Sequence, residues 1–304
     1  MSRESIALVL LLLSQSFASS CVVPYDNLVI NESTTLCQGD YQINDTTWHG
    51  NGGLDGVIII NGSNVVLDCN GSVLRGNDEG WGIIVNTRDA ERRENITIKN
   101  CDVGNYGISI FARNENGGWG ICSDSICLDR FVGTFRNLVI RDNNISGGFD
   151  GIMIGDAYYA LIEDNNFESM RQSPLSLFNS QKVIIRNNRF RGTESAVNLL
   201  FRSDDVLVVG NDINVTLTGI SGVLTRTMII NNIIEGGGID IGNWECKGKA
   251  RDIVIFNNII RDAQNGIVLT EFPGNATIAN FFDGVGTEVR INRGGSYWGC
   301  SYAG

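Results

Sequence analysis

The groups in this chain best suited to chemistry are a few carboxylates and a set of arginines. Asp150 and Asp156 bracket the tetrapeptide Gly-Ile-Met-Ile, and Asp240 lies inside Gly-Ile-Asp-Ile farther along. A carboxyl group partly shielded from water can give or take a proton near neutral pH. Arg88, Arg113, Arg202 and Arg226 each follow an inward-facing Ile or Val by a few residues, and Trp244, Glu245 and Lys247 take that place later in the chain. A base beside such cations could remove a proton next to a carboxylate while the cations neutralise the developing charge. Asp150, Asp156, Asp240, Arg202 and Arg226 form the candidate catalytic set on these grounds. Arg88, Arg113, Trp119, Tyr158 and Lys247 form the candidate substrate-binding set, with the rings of Trp119, Tyr158 and Trp81 able to stack on the flat face of a ligand. The competing reading is plainer. Arginine is easily solvated in exposed turns, where Asp89, Asp204 and Asp205 could pair with it, and aromatic rings also cover core edges.

No motif requires a cofactor. Calcium is the one metal with a case, through Asp150, Asp156 and carbonyls of a Gly-rich loop, yet neither an EF-hand loop nor a nonapeptide calcium repeat occurs. His49, the single histidine, stands in DTTWHGNGG without partners for catalysis and reads as a cap or turn residue.

The elements that must position these groups announce themselves by repetition. ITIKNCDV from Ile96, LVIRDNNI from Leu138, ALIEDNNF from Ala160, VIIRNNRF from Val183, VLVVGNDI from Val206, TMIINNII from Thr227 and IVIFNNII from Ile253 share one pattern. It reads apolar, any, apolar, any, polar, Asn or Cys, any, apolar. Ahead of most of these stands GIIV at Gly82, GISI at Gly107, GIMI at Gly151, GIDI at Gly238 or GIVL at Gly266, with PLSL at Pro174 and AVNL at Ala196 in the same place. The asparagine returns after 22, 23, 23 and 21 residues from Asn143 through Asn165, Asn188, Asn211 and Asn232.

Such short alternations are strands, three to a coil, and they bury their inward faces only by stacking on neighbouring coils. The pattern predicts an all-β solenoid of about nine coils with capped ends. An asparagine ladder of Asn70, Asn143, Asn165, Asn188, Asn211, Asn232 and Asn258, with Cys101 in one coil, would satisfy turn groups that the bend leaves unpaired. Outward positions of the first strand are read as Ile84, Ser109, Met153, Ser176, Asn198, Ser221, Asp240 and Val268, of which one is charged.

The run VVLDCNGSVLRG, then NITIKNCDV and the GI…NN coils over about residues 54 to 282, resembles the right-handed parallel β-helix proteins of the pectate-lyase-like superfamily. The resemblance implies a groove along the outside of the first strands and a polysaccharide as partner. Polygalacturonase motifs (NTD, DD, GHG, RIK) are missing, so a lyase or epimerase fits better than a hydrolase if the protein is an enzyme. A noncatalytic cell-surface or adhesion module is the alternative, supported by the scarcity of charge on the outward positions.

Residues 1–20 read as a signal peptide with one basic residue and an apolar run from Ile6 to Leu13. Residues 21–53 then form an N-terminal cap, 54–283 the β-helix with an inserted loop at 113–134, and 284–304 a C-terminal cap. The apolar run is too short to span a bilayer and no other comes near the required length, so no transmembrane segment is expected. Eight cysteines suit an oxidising compartment; Cys21 with Cys37, Cys69 with Cys101, Cys122 with Cys127, and Cys246 with Cys300 is the pairing preferred among several that the sequence leaves open. The protein is expected to be a secreted or cell-surface monomer, with a lipid anchor on Cys21 as the second reading. A net charge of −11 with four lysines excludes nucleic acid as the main partner. Asn-x-Ser/Thr triplets at Asn31, Asn44, Asn61, Asn70, Asn95, Asn144, Asn214 and Asn275 would allow glycosylation, except that Asn70 should be buried.

Overall fold

A computed structural model describes residues 21–46, 56–85, 91–112, 134–242, 250–270 and 275–292. Within them 27 short strands join into a single sheet in which every named pairing is parallel and links one coil to the next. The chain winds as a β-solenoid of about nine turns. Among the described residues no helix is long and apolar enough to cross a membrane.

Alternation explains the core. Inward Ile, Val and Leu of successive first strands fall into register as Ile110, Ile152, Leu175, Val197, Ile220, Ile239 and Ile267. All are buried in one continuous apolar column. The Gly before several first strands has a steric cause: a Cβ on Gly151 would meet the Pro174 carbonyl oxygen at 2.3 Å, and one on Gly238 the Asn265 carbonyl oxygen at 2.1 Å.

At the turn between second and third strands, Asn143, Asn165, Asn188, Asn211, Asn232 and Asn258 are buried. Each Nδ2 donates to Oδ1 of the asparagine one coil on, at 2.9–3.1 Å for Asn143 through Asn232, and that same Oδ1 also accepts the backbone N–H. The second amide proton goes to a backbone carbonyl of the coil before, as from Asn188 to Ile162 at 3.0 Å. Asn280 extends the ladder by one rung, accepting from Asn258 at 2.8 Å.

The ladder does not include Asn70. That turn carries two extra residues, so Ser72 takes the ladder's register, its carbonyl accepting from Asp102 N as that of Cys101 accepts from Asn144 N. Asn70 itself is exposed in a left-handed conformation (φ 53°), which removes the reason to exclude its Asn-x-Ser triplet from glycosylation. The outward column departs from expectation at Ser109 as well: Phe111, not Ser109, pairs with Ile84 and Met153, a slip of two residues.

Pairing also begins inside the segment expected to be a cap. Leu28–Ile30, Thr34–Thr35 and Asp40–Gln42 stack on Ile58–Ile60, Val66–Asp68 and Val73–Arg75, making the first coil. Disulfides Cys21–Cys37 and Cys69–Cys101 tie this end together, the latter across neighbouring coils. A Cys21 held in that bridge is not free to carry lipid. At the other end, Thr287–Asn292 completes a further first strand on Asn265–Thr270. Cys122, Cys127, Cys246 and Cys300 lie outside the described residues, as do the inserted loop and most of the expected C-terminal cap.

Candidate functional site

The outer face of the first strands is one column running the length of the solenoid. Parallel register stacks Ile59, Ile84, Phe111, Met153, Ser176, Asn198, Ser221, Asp240, Val268 and Arg290 in that order. Its two halves differ in chemistry. Ile59, Ile84, Phe111 and Met153 are buried with Trp81 and Ile108 in an apolar cluster separate from the main core, and Trp81 stacks on Phe111 with ring centroids 4.9 Å apart.

From Ser176 to Asp240 the column is polar. Ser221 Oγ donates to Asn198 Oδ1 at 2.6 Å, and Asn198 Nδ2 donates to Ser173 Oγ at 2.6 Å. Ser173 N in turn donates to Asp150 Oδ1 at 3.0 Å. Asp240 is the register partner of Ser221 on the next coil. The result is a hydrogen-bonded row of three side chains, Ser221, Asn198 and Ser173, that meets Asp150 through the Ser173 backbone N–H and lies one coil from Asp240.

Burial pushes both Asp150 and Asp240 up to about 6, opposed at Asp150 by the Ser173 N–H that it accepts. Asp240 Oδ1 is buried without a hydrogen-bond partner. A half-buried acid with an unsatisfied oxygen is poised to exchange a proton near neutral pH, and it is the kind of group that active and binding sites retain.

The candidate catalytic residues do not converge. Asp150 opens the strand Asp150–Gly155 and Asp156 follows its end, six residues on, or about 20 Å along an extended chain. They cannot share a calcium ion, and among the described residues no group of three His, Cys, Asp or Glu could hold a metal. Asp156 instead accepts from Asn179 Nδ2 at 2.7 Å in the turn leaving the first strand. Asp240 stands four coils from Asp150, about 19 Å along the axis at ~4.8 Å per coil. Paired-carboxylate hydrolysis needs about 5–9.5 Å, so these two acids cannot work on one glycosidic bond.

Arg226 lies at the corner between first and second strands, off the groove column. Its Nε and Nη2 donate to both oxygens of Asp205 at 2.6 and 3.1 Å, which holds the Asp205 carboxyl below its usual range. Asp204 is 3.7 Å away and is pushed up by burial. The plainer reading of this arginine, as an ion-paired turn residue, is the arrangement found. Arg202 falls in the strand Arg189–Asp204, and its side chain is outside the described set, as are Arg88, Arg113, Trp119 and Lys247. Tyr158 is at the same corner as Arg226, packed edge-on against Tyr159.

Sequence reasoning placed Ser176, Asn198 and Ser221 on the outer face but gave them no role. It missed Ser173 entirely. The available signal was Asn198, an amide on the outer side of a strand with Ser176 and Ser221 stacked on either side of it, whose donors and acceptor can bond polar neighbours.

A family model described as right-handed beta helix region matches residues 131–282. No characterised protein is significantly similar to the chain by sequence. Among solved structures, DFA-IIIase from Arthrobacter chlorophenolicus A6 superposes with a TM-score of 0.61 at 11% identity, covering 88% of this chain and 73% of that one. Endo-xylogalacturonan hydrolase from Aspergillus tubingensis gives 0.53 at 13% identity over 94% and 89% of the two chains. A tailspike mutant of Escherichia coli bacteriophage HK620, in complex with a pentasaccharide, gives 0.57 at 15% identity over 88% and 57%. At such identities the likeness is one of fold.

Proposed function

Because the chain belongs to the right-handed β-helix family, whose stacked strands offer a long outer face, we propose that it is an extracellular protein that binds polysaccharide along its first-strand column. The observation that carries this is the hydrogen-bonded row Ser173–Asn198–Ser221, with Asp150 at the Ser173 N–H and Asp240 one coil beyond Ser221. Hydroxyl and amide groups in a row one coil apart match the hydroxyl-rich edge of a sugar chain, and the solved β-helix proteins named above include ones that act on or hold saccharides. The two disulfides suit export.

If the protein modifies its ligand, the separation of the acids favours a reaction that needs one proton-transfer group at a time, abstraction beside a uronate carboxylate, over hydrolysis by a carboxylate pair. Asp240 is the group of choice, being raised to about 6 and short of a partner. The noncatalytic reading has its own support: the described column carries one cation, Arg290, two coils beyond Asp240, whereas a lyase must neutralise its substrate's carboxylate at the site of reaction.

Immobilised polygalacturonate, alginate and hyaluronan test both parts. The expected result is retention on at least one polymer that falls on Asn198→Ala. Absence of retention on all three sinks the binding proposal. On a retaining polymer, unsaturated uronate absorbance near ~235 nm and a changed epimer ratio distinguish modification from scaffolding. Silence in both removes the catalytic form.

A further inference from the structure

The solenoid has a second periodic column, at the corner where the first strand gives way to the second. Asn64, Asn95, Asn137, Tyr159, Lys182, Asp205, Arg226 and Asp252 occupy it in register, and all are left-handed, with φ between 50° and 61°. Asparagine suits that conformation because its short amide bonds locally. Here Asn95 Nδ2 donates to Asn64 Oδ1 at 2.7 Å and Asn137 Nδ2 to Asn95 Oδ1 at 2.8 Å. Tyrosine and lysine have no such compensation, and a bulky residue held there is strained. The fold does not need them at this corner, since asparagine serves the preceding coils.

What the two residues build is a compact aromatic and cationic cluster. Tyr158 and Tyr159 meet edge to face with centroids 4.5 Å apart. The Lys182 ammonium lies 5.0 Å from both ring centroids, and the Arg136 guanidinium 5.3 Å from that of Tyr158. Lys182 Nζ donates to Tyr159 Oη at 3.3 Å, and Tyr159 remains 49% exposed. Other cations on the same second strands are neutralised: Lys99 by Asp68 at 2.9 Å, Arg141 by Asp142 at 2.7 Å and Arg186 by Glu163 at 2.5 Å. Arg136 and Lys182 have no ion pair among the described residues, and Arg136 Nε is buried without a hydrogen-bond partner. One coil past Lys182, the Asp205 carboxylate locked to Arg226 closes the patch with opposite charge.

We infer that this corner is a second saccharide site, outside the groove column, for one or two acidic sugar units. The tyrosine pair presents an exposed ring for a pyranose face, and the two cations without an ion pair, one on each of the coils flanking the tyrosines, would receive the carboxylates of the sugar units. Neutral sugars forgo the second contribution. The site stands apart from the groove proposal and can hold if that proposal fails.

The test exploits the column itself. Replacing Tyr159→Asn and Lys182→Asn installs the residue that Asn64, Asn95 and Asn137 already show to fit, so the double variant should keep its β-sheet circular dichroism and melt at a higher temperature. Calorimetric titration with trigalacturonate and triguluronate should give binding to the unmodified protein for at least one of the two, a loss of about tenfold or more in the variant, and no binding of maltotriose to either. Unchanged affinity in the folded variant overturns the inference, and so does the lack of binding of both acidic trisaccharides to the unmodified protein. An affinity lost in Asn198→Ala but kept in the double variant assigns the ligand to the groove and also overturns it. The reverse pattern supports the corner and takes the acidic oligosaccharide away from the groove.

Discussion

Two columns of turn residues run along this solenoid, and asparagine has met different fates in them. The buried one holds it without a break from Asn143 to Asn280, over seven coils of the described chain, whereas the exposed one holds it at Asn64, Asn95 and Asn137 and then gives way to Tyr159, Lys182, Asp205, Arg226 and Asp252. Both hold a turn. The difference is burial: in the interior each amide is the sole partner of several groups, so no other side chain satisfies them, while at the surface water can replace whatever the asparagine did. A column that burial makes obligatory preserves the fold, and a column that exposure makes optional is where function can be placed.

The sharpest way to break this contrast is to remove one amide from each column. Asn188 gives two amide protons, to Asn211 Oδ1 and Ile162 O, and its Oδ1 accepts both N–H and Nδ2 of Asn165. Asn188→Ala should cost about 4 kcal/mol, since buried groups on three coils lose their partners and a cavity is left. Asn137→Ala, at the exposed corner, should cost about 1 kcal/mol, mostly for placing alanine in a left-handed conformation. Urea unfolding midpoints measure both. Equal losses would show that exposure is not what separates the columns.

Between these extremes lies the first-strand column, buried enough to shift a carboxyl group and open enough to admit a ligand. Asp240 moves from 3.8 to about 6 through burial alone, so the native state holds its proton more tightly than the unfolded chain. The sign follows: its contribution is fully present below about pH 4, is lost as the pH rises through 6, and stays lost above. Asp240→Asn removes the charge with little change of shape. It should stabilise the protein by about 2 kcal/mol at pH 8 and by nearly nothing at pH 4, read as a pH-dependent difference in melting temperature. A variant equally stabilised at both values would mean that Asp240 is not titrating in this range. Asp150→Asn should show the same sign and a similar gain, because burial raises the Asp150 carboxyl to about 6 even with the Ser173 N–H supporting its charged form.

The solenoid was legible because its period is set by geometry that repeats every coil, so seven segments of sequence vote on one pattern. Where a single coil changes length, the vote fails. Two extra residues at Cys69 to Ser72 misplaced Asn70, and the glycine of Gly107, read as the equivalent of Gly82, displaced Ser109 from its place beside it. Asn280 escaped notice for a similar reason: Ala279 pairs with Phe256 and Phe281 with Ile259, leaving one residue opposite Asn257 and Asn258. The acids Asp150 and Asp240 were identifiable by type. Their distance was also present in the period, four coils apart, but the hydrogen-bonded row through Ser173 depends on side-chain direction across turns, which no spacing reveals.

The smallest effect tests the second half of the comparison, that the exposed column carries residues at odds with its own backbone. Tyr159 is left-handed at φ 61° and 49% exposed, so it gains little from packing to offset the strain. Tyr159→Asn should raise stability by about 1 kcal/mol, a few degrees in melting temperature, despite deleting an aromatic ring. The reciprocal change at a neighbouring coil, Asn137→Tyr, should lower it by a similar amount and break the 2.8 Å bond to Asn95. If both substitutions destabilise, the Tyr158–Tyr159 contact outweighs the backbone term and the tyrosine is there for packing. If they act in opposite directions, the corner keeps a residue that its own fold disfavours, and a ligand is the remaining physical reason for a ring and a cation to sit there together.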